Sequence, residues 1–134
     1  VKYVIIGHSE RRALGETNEM VNRKVKAATS AKLKPIVCIA NLTQLRNSLK
    51  GVPKKVIVAF EPLSAIGTGK PFSYEKAKKM RHQIKYSFVL YGGSVNSKNA
   101  RDYIEKAGFQ GLLVGGASLN PKELTQIVKN VSKN

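Results

Sequence analysis

Acidic residues, cysteine and long apolar runs are all scarce in this sequence. The chain of 134 residues has 8 Asp and Glu against 24 Lys and Arg, which gives a formal net charge of +16. It contains one cysteine and no tryptophan. Uncharged stretches such as 36–45 and 107–121 are shorter than the roughly 20 apolar residues of a membrane helix, and glycine interrupts the second. We therefore exclude a transmembrane segment.

The single cysteine, Cys38, cannot form an internal disulfide. It lies inside the apolar run 35–39, where a buried and inert thiol is the simplest interpretation. Residues 1–6 lead directly into a polar motif without a small-residue cleavage site, so we expect no signal peptide and a reducing, cytoplasmic environment. Because the first residue is not Met, the expectation includes processing, trimming, an unusual start or origin from a longer chain.

The sequence does contain enough apolar material for a folded core. Apolar residues make up 42% of the chain, which is too many for a disordered polybasic tail. There is no linker, no repeat of fixed period and no low-complexity tract. We therefore predict that residues 1–134 form one folding unit.

Short β-branched apolar runs alternate with stretches of helical spacing, which indicates an α/β fold. The runs are nearly continuous in apolar character, as is typical of strands covered on both faces of a parallel sheet. This pattern leaves two architectures open, a doubly wound sheet and part of a barrel. The predicted strands are 3–6, 36–39, 56–60, 88–91 and 111–114. The predicted helices are 18–28, 43–49, one capped by Ser73, 97–107 capped by Ser97 and stopped at Gly108, and one from Asn120 with Pro121 in its first turn.

Polar and glycine residues concentrate directly after the predicted strands. In parallel α/β folds the C-terminal strand ends carry the active site. Two glycine pairs, 92–93 and 115–116, follow consecutive strands, and such glycines let backbone N–H groups approach an anion closely. We predict a phosphate site there, with two ordinary tight turns as the alternative. A nucleotide P-loop ending at Lys70 is excluded, because Ser64 and Pro71 occupy its required glycine and hydroxyl positions.

Two side chains at strand ends are candidates for acid–base chemistry. Glu61 leaves an apolar strand between Phe60 and Pro62, where a carboxylate can serve as a general base, and an ordinary loop acid is the alternative. His8 ends the first strand, where a structural histidine is the alternative. The other histidine, His82, lies among helical lysines and is expected at the surface.

Long motifs surround these candidates and occur in a fixed order along almost the whole chain. They are YVIIGHSERR at 3–12, GE at 15–16, FEP at 60–62, AIGTGK at 65–70, YGGSV at 91–95 and LLVGGASL at 112–119. Together they resemble the triosephosphate isomerase family, from its fourth strand to its eighth helix. The resemblance implies a partial TIM (β/α)8 barrel of five parallel β/α units, completed by another chain.

The resemblance also implies a role for each matched residue. Glu61 would interconvert glyceraldehyde 3-phosphate and dihydroxyacetone phosphate by moving a proton through an enediolate. His8 would polarise the carbonyl as a neutral electrophile and Glu10 would order the site, whereas Arg12 and Glu16 would be structural. Neither a metal nor a cofactor is implied. Gly67, Ser94, Gly115 and Gly116 would hold the substrate phosphate, Pro62 to Lys70 would form a closing lid, and Ile66 and Leu113 would exclude water from Glu61.

The sequence departs from the family pattern in several places. The family's Asn-x-Lys motif, whose lysine neutralises the substrate's charge, has no counterpart here. Ser64 stands where the family has a lid tryptophan, and Ala40-Asn41 replace Gly-Glu. The connections at 43–55 and 74–88 are short. We therefore expect an N-terminal half-barrel chain, separately encoded or produced by cleavage, to supply strands one to three and the substrate-binding lysine.

Charge supports a further expectation about that partner. Between residues 20 and 60 the chain has nine basic residues and no acid, so we expect an acidic partner, with a merely solvated basic surface as the alternative. Further dimerisation stays open. Two other functions also stay open, a catalytically inactive self-associating half-barrel and a basic polyanion-binding module. Nucleic acid binding is expected to be nonspecific only, because the basic residues are not interleaved with stacking aromatics.

Overall fold

A computed structural model describes residues 1–132. Strands and helices alternate through this part of the chain, as the sequence predicts. The elements are β1 (Tyr3–Ile6), α1 (Ser9–Ala13), α2 (Asn18–Ser30), β2 (Lys34–Ile39), α3 (Leu42–Ser48), β3 (Ile57–Phe60), α4 (Tyr74–Gln83), β4 (Val89–Gly92), α5 (Ala100–Glu105), β5 (Gly111–Leu113) and α6 (Pro121–Val131). Short 3-10 turns lie at Leu63–Ala65 and Gly116–Leu119.

The five strands form one parallel sheet in the order β1-β2-β3-β4-β5. Each strand pairs with the next one in sequence, so the strand order never reverses as it does in a doubly wound sheet. The sheet curls into a half-barrel with the helices between its strands. The predicted partial TIM barrel is therefore confirmed, and the doubly wound alternative is wrong.

Alternate side chains along the strands divide the sheet into two faces. Val37, Val58 and Phe60 pack with the helices in the main core, where burying each such side chain contributes about 1.5–3 kcal/mol. The opposite, inner face holds a smaller cluster around Cys38, Ala59 and Leu90. The inner face is thinly covered at β1, where the side chains next to the sheet edge stay open to solvent.

Two side chains of β1 show how open this inner face is. Tyr3 is 49% exposed and Ile5 is 51% exposed, although Ile5 lies beside Ile36 in the strand register. In a closed barrel such inward side chains fill the interior in layers. The half-barrel thus presents apolar surface along the edge where further strands would continue the sheet.

Several predicted element ends are confirmed, and both predicted ends of α5 are wrong. Ser73 and Asn120 cap α4 and α6 with their side chains. Gly108 has the expected left-handed φ of 81°, but α5 already ends at Glu105. Ser97 does not cap α5. The Asn96 side chain accepts the Asn99 N–H that a Ser97 cap would bind, and the helix begins at Ala100. Helix α1 was not predicted. Among residues 1–132, no helix combines the length and apolar character needed to cross a membrane.

Candidate active site

One cavity of about 560 Å³ opens at the C-terminal ends of the strands. Nine of the ten predicted site residues line it, although they come from four separate loops. The tenth, Pro62, is buried behind the cavity at the start of the 3-10 turn. The lining residues are Ile5, His8, Glu10, Glu61, Ile66, Gly67, Gly69, Gly93, Ser94, Val95, Asn96, Leu113, Val114, Gly115, Gly116 and Ala117.

Glu61 and His8 are in contact in the wall of this cavity. His8 Nε2 lies 3.2 Å from Glu61 Oε2, and His8 Nδ1 accepts the Glu10 backbone N–H at 3.4 Å at the start of α1. Because Nδ1 accepts a hydrogen bond, the ring proton of a neutral imidazole must be on Nε2. His8 therefore presents an N–H donor to the cavity, and in this state Glu61 accepts it.

The Glu61 side chain is buried and closely surrounded by its neighbours. The residue is 5% exposed, and its backbone N–H donates to Ile39 O at 2.8 Å. Gly92 provides the space, because a Cβ there would lie only 2.8 Å from Glu61 Cγ. Burial and the nearby Glu61 charge both raise the pKa of the Cys38 thiol. The predicted inert, buried cysteine is thus confirmed in its burial, with an exposure of 1%.

The segment predicted as a lid continues directly from Glu61. Its 3-10 turn is held by Ser94, whose hydroxyl donates to Ala65 O at 2.6 Å. Within the segment, the Thr68 hydroxyl donates to Ser64 O at 3.0 Å and accepts the Lys70 N–H at 3.2 Å. The segment therefore has a defined shape of its own and one polar attachment to the loop after β4.

The far side of the cavity is built from backbone. Gly67 in the lid segment and Gly115 and Gly116 after β5 bring the main chain to its surface. Its charged lining residues are both acids, Glu10 and Glu61, and among the described residues 1–132 neither Lys nor Arg lines it. An anionic ligand here would lie against main chain at these glycines and meet no basic side chain of the described chain.

Arg12 ties the elements beneath this cavity together. It donates to Gly7 O at 2.8 Å, to Cys38 O at 3.2 Å, and to the side chains of Asn18 and Ser48 at 2.8 and 3.1 Å. Burial lowers the pKa of this guanidinium. These bonds join the ends of β1 and β2 to α2 and α3, which fits the structural role that the resemblance implies.

The other residue expected to be structural, Glu16, is also buried. It is 7% exposed and pairs with Lys24 of α2. The pair attaches the loop after α1 to the next helix, away from the cavity that holds Glu61.

Ser9 is a site residue that the sequence analysis missed. Its hydroxyl is buried without a hydrogen-bond partner in the described part of the chain, and Glu61 Oε1 is in the same condition. Both residues line a second, smaller cavity behind the carboxylate. The sequence did show a hydroxyl next to the candidate histidine. That this hydroxyl and Glu61, 52 positions later, line the same cavity depends on the curl of the sheet, which the sequence does not show.

Comparison with known proteins shows which family this chain belongs to. The family model for triosephosphate isomerase matches residues 1–131. The chain belongs to the triosephosphate isomerase family. It is 38% identical to the triosephosphate isomerase of Dehalococcoides mccartyi over 159 aligned positions, which cover 97% of this chain and 63% of that protein. It is 42% identical to that of Alkaliphilus oremlandii, covering 96% of this chain and 64% of the relative.

The match to the triosephosphate isomerase family is partial in length. The chain spans slightly under two thirds of these relatives, and the triosephosphate isomerase of Endomicrobium trichonymphae, 39% identical, shows the same 63% coverage. The first alignment runs over 159 positions although this chain has 134 residues. The relatives therefore carry additional residues inside the matched span, as expected from the short connections.

Proposed function

We propose that this chain supplies the acid–base half of a triosephosphate isomerase that becomes active when further strands complete the barrel. The observation that carries the proposal is the pairing of His8 Nε2 with Glu61 Oε2 at 3.2 Å in a cavity also lined by the lid segment and the glycine loops. A buried carboxylate beside a neutral imidazole N–H is suited to moving a proton next to a carbonyl.

In the proposed reaction the substrate carbonyl takes the place of Glu61 as the acceptor of the His8 N–H. The Glu61 carboxylate then removes a proton from the carbon adjacent to the carbonyl, and the electron pair of that C–H bond forms the enediolate. His8 stabilises the negative oxygen through its Nε2–H. It also moves one proton between the two oxygens: it gives its Nε2 proton to the former carbonyl oxygen and takes the proton of the neighbouring hydroxyl, which becomes the new carbonyl. Glu61 returns its proton to the neighbouring carbon, so the aldose becomes the ketose, or the reverse, without loss of atoms.

The remaining predicted residues hold and enclose the substrate in this proposal. Backbone N–H groups of Gly67, Ser94, Gly115 and Gly116 bind the phosphate, which suits an anion that meets no basic side chain of this chain. The lid from Pro62 onward closes over it, and Ile66 and Leu113 keep water from the carboxylate. Glu10 orders the site in this proposal, because its backbone N–H donates to His8 Nδ1 and so orients the imidazole ring.

A complementary chain or segment supplies what this half lacks. The cavity has no Lys or Arg among the described residues, and a dianionic phosphate ester needs a positive charge nearby, so we assign that charge to the partner's lysine. The exposed Tyr3 and Ile5 give the partner an apolar surface beside the open edge of β1. With a net charge of +16 on this chain, an acidic partner would associate faster and with greater salt sensitivity.

The decisive experiment titrates this chain with a matching N-terminal segment of strands one to three and measures interconversion of glyceraldehyde 3-phosphate and dihydroxyacetone phosphate. We expect activity that saturates near equal stoichiometry, disappears in Glu61→Gln, and persists in the matched control Glu105→Gln, an exposed acid paired with Arg101. If a complex forms but is inactive at every ratio, the proposed activity is refuted and the alternative of a catalytically inactive half-barrel is favoured. Association rates that do not change with ionic strength would refute the acidic partner. Cytoplasmic location remains part of the proposal, and fractionation of the source cells tests it.

A further inference from the structure

A second cavity lies behind Glu61, on the side away from the predicted substrate. Its volume is about 260 Å³. Glu61 lines both cavities, so its side chain forms the wall between them. Ala13 and Leu63 are exposed and mark the side of the rear cavity that is open to solvent. The lining residues are Gly7, Ser9, Arg12, Ala13, Cys38, Ile39, Ala40, Gln44, Glu61 and Leu63.

The rear cavity combines apolar walls with two unsatisfied oxygens. His8 occupies Oε2 of Glu61, whereas Oε1 is buried and receives no N–H or O–H donor within residues 1–132. The Ser9 hydroxyl is buried and unpartnered in the same way. An unpaired buried carboxylate oxygen is costly, and a bound N–H or O–H group would remove that cost.

The other polar groups in the wall are already engaged. Arg12 donates to four acceptors around it, and Gln44 accepts the Ala40 N–H at 2.8 Å. The Cys38 thiol is buried and stays uncharged, because burial, the Glu61 charge and a hydrogen bond to the Glu61 carboxyl raise its pKa. A thiol is only a weak donor. What the cavity offers a ligand is therefore apolar surface, a carboxylate that meets only this weak S–H donor from the cavity wall, and one hydroxyl.

We propose that the rear cavity is a binding site for a small, uncharged, planar aromatic molecule that carries one N–H or O–H donor. The apolar walls take the ring and Glu61 Oε1 accepts the donor, with the Ser9 hydroxyl beside it. A bicyclic ring of about nine heavy atoms suits a cavity of this size and composition. Because the ligand contacts Glu61 from behind, it and a triose phosphate occupy different cavities.

Indole is the probe, and 1-methylindole, which lacks the donor, is its matched control. The chain has no tryptophan, so the emission of added indole is measured against tyrosine alone. We expect saturable binding of indole to the full chain, observed as a changed indole emission and confirmed by calorimetry. We expect 1-methylindole to bind about tenfold or more weakly, because it cannot donate to the charged acceptor.

Two variants locate the site. Ala40→Leu fills the cavity and should weaken indole binding at least tenfold, whereas the same change at exposed Ala31 should leave it unchanged. Circular dichroism shows whether each variant is folded, and the comparison of the two probes needs no variant. Equal affinity for both probes, no saturable binding, or binding that survives in folded Ala40→Leu would overturn the proposal and leave a cavity that holds water. These readouts do not require isomerase activity, so failure here is distinct from failure of the proposed function.

Discussion

The substitution Gly92→Ala tests how closely the fold shapes the position of Glu61. A Cβ at residue 92 would lie 2.8 Å from Glu61 Cγ and 3.5 Å from its Oε2, whereas ordinary contacts begin near 3.4 Å. The carboxylate stem must therefore move by about 0.6 Å or more. Its backbone is fixed by the bond to Ile39 O, so the displacement falls on the 3.2 Å contact with His8.

The expected effect is larger on activity than on stability. Overpacking of a buried site costs about 1–3 kcal/mol, and a misplacement of about 1 Å at a reacting group costs about 100-fold in rate. A shift somewhat smaller than that should lower activity of the reconstituted enzyme by about 10-fold to 100-fold. Urea unfolding measures the loss of stability, and the isomerase assay measures the loss of activity. The ring nitrogen shifts of His8, followed by NMR on the chain alone, report the contact directly.

Gly111→Ala is the matched control for this prediction. A Cβ at residue 111 would also meet a neighbour at 2.8 Å, but that neighbour is Cδ2 of Leu90, the far end of a flexible side chain on the inner face. We expect a modest loss of stability and unchanged His8 shifts. If Gly92→Ala keeps both the wild-type His8 shifts and full activity, the carboxylate is not confined as the geometry indicates, and the reasoning fails.

Three other perturbations have expected outcomes. Replacing Arg12 by Met removes four hydrogen bonds, of which only the one to Asn18 Oδ1 leaves an acceptor with another donor, the Ser48 hydroxyl. The change should lower the free energy of unfolding by about 3 kcal/mol or more; an unchanged urea midpoint would contradict this. Ser94→Ala removes the 2.6 Å hydrogen bond to Ala65 O. Amide exchange in the lid segment should become faster, as expected when the free energy of local opening falls by about 1 kcal/mol, while exchange in α2 stays the same. The buried Cys38 has a pKa above its ordinary 9.0, so the unfolded state loses this proton first and stability should fall as pH rises above 9.0. A Cys38→Ala variant should lack that part of the pH dependence.

The strands and most helix ends were predictable because their signals are local. Continuous apolar runs indicate buried parallel strands, and Ser73 and Asn120 act as caps through bonds that span two or three residues. Ser97 failed as a cap because the side chain of the adjacent Asn96 accepts the Lys98 and Asn99 N–H groups instead. Asn and Ser are about equally good caps, so spacing alone could not decide between two such neighbours.

The candidate site was predictable as a set of positions but not as a geometry. Parallel strands bring their C-terminal ends to one edge, so His8 and Glu61 were expected on the same rim. Their 3.2 Å contact depends on more than that. It requires the missed helix α1, whose first turn supplies the N–H that orients His8, and it requires the absence of a side chain at Gly92. Neither requirement has a signature in local periodicity.

The strand order explains how this half-barrel holds the Glu61 carboxylate in place. β1 and β3 are separated only by β2, so the carboxylate, the imidazole and Arg12, which joins the ends of β1 and β2, all belong to one continuous part of the sheet. A buried carboxylate without a partner is costly, and here the Nε2 of His8 lies 3.2 Å from one of its oxygens. The other oxygen stays unsatisfied. In the proposed function, the half-barrel would therefore preorganise proton transfer at Glu61, and the positive charge that holds a phosphate ester would come with the strands that complete the barrel.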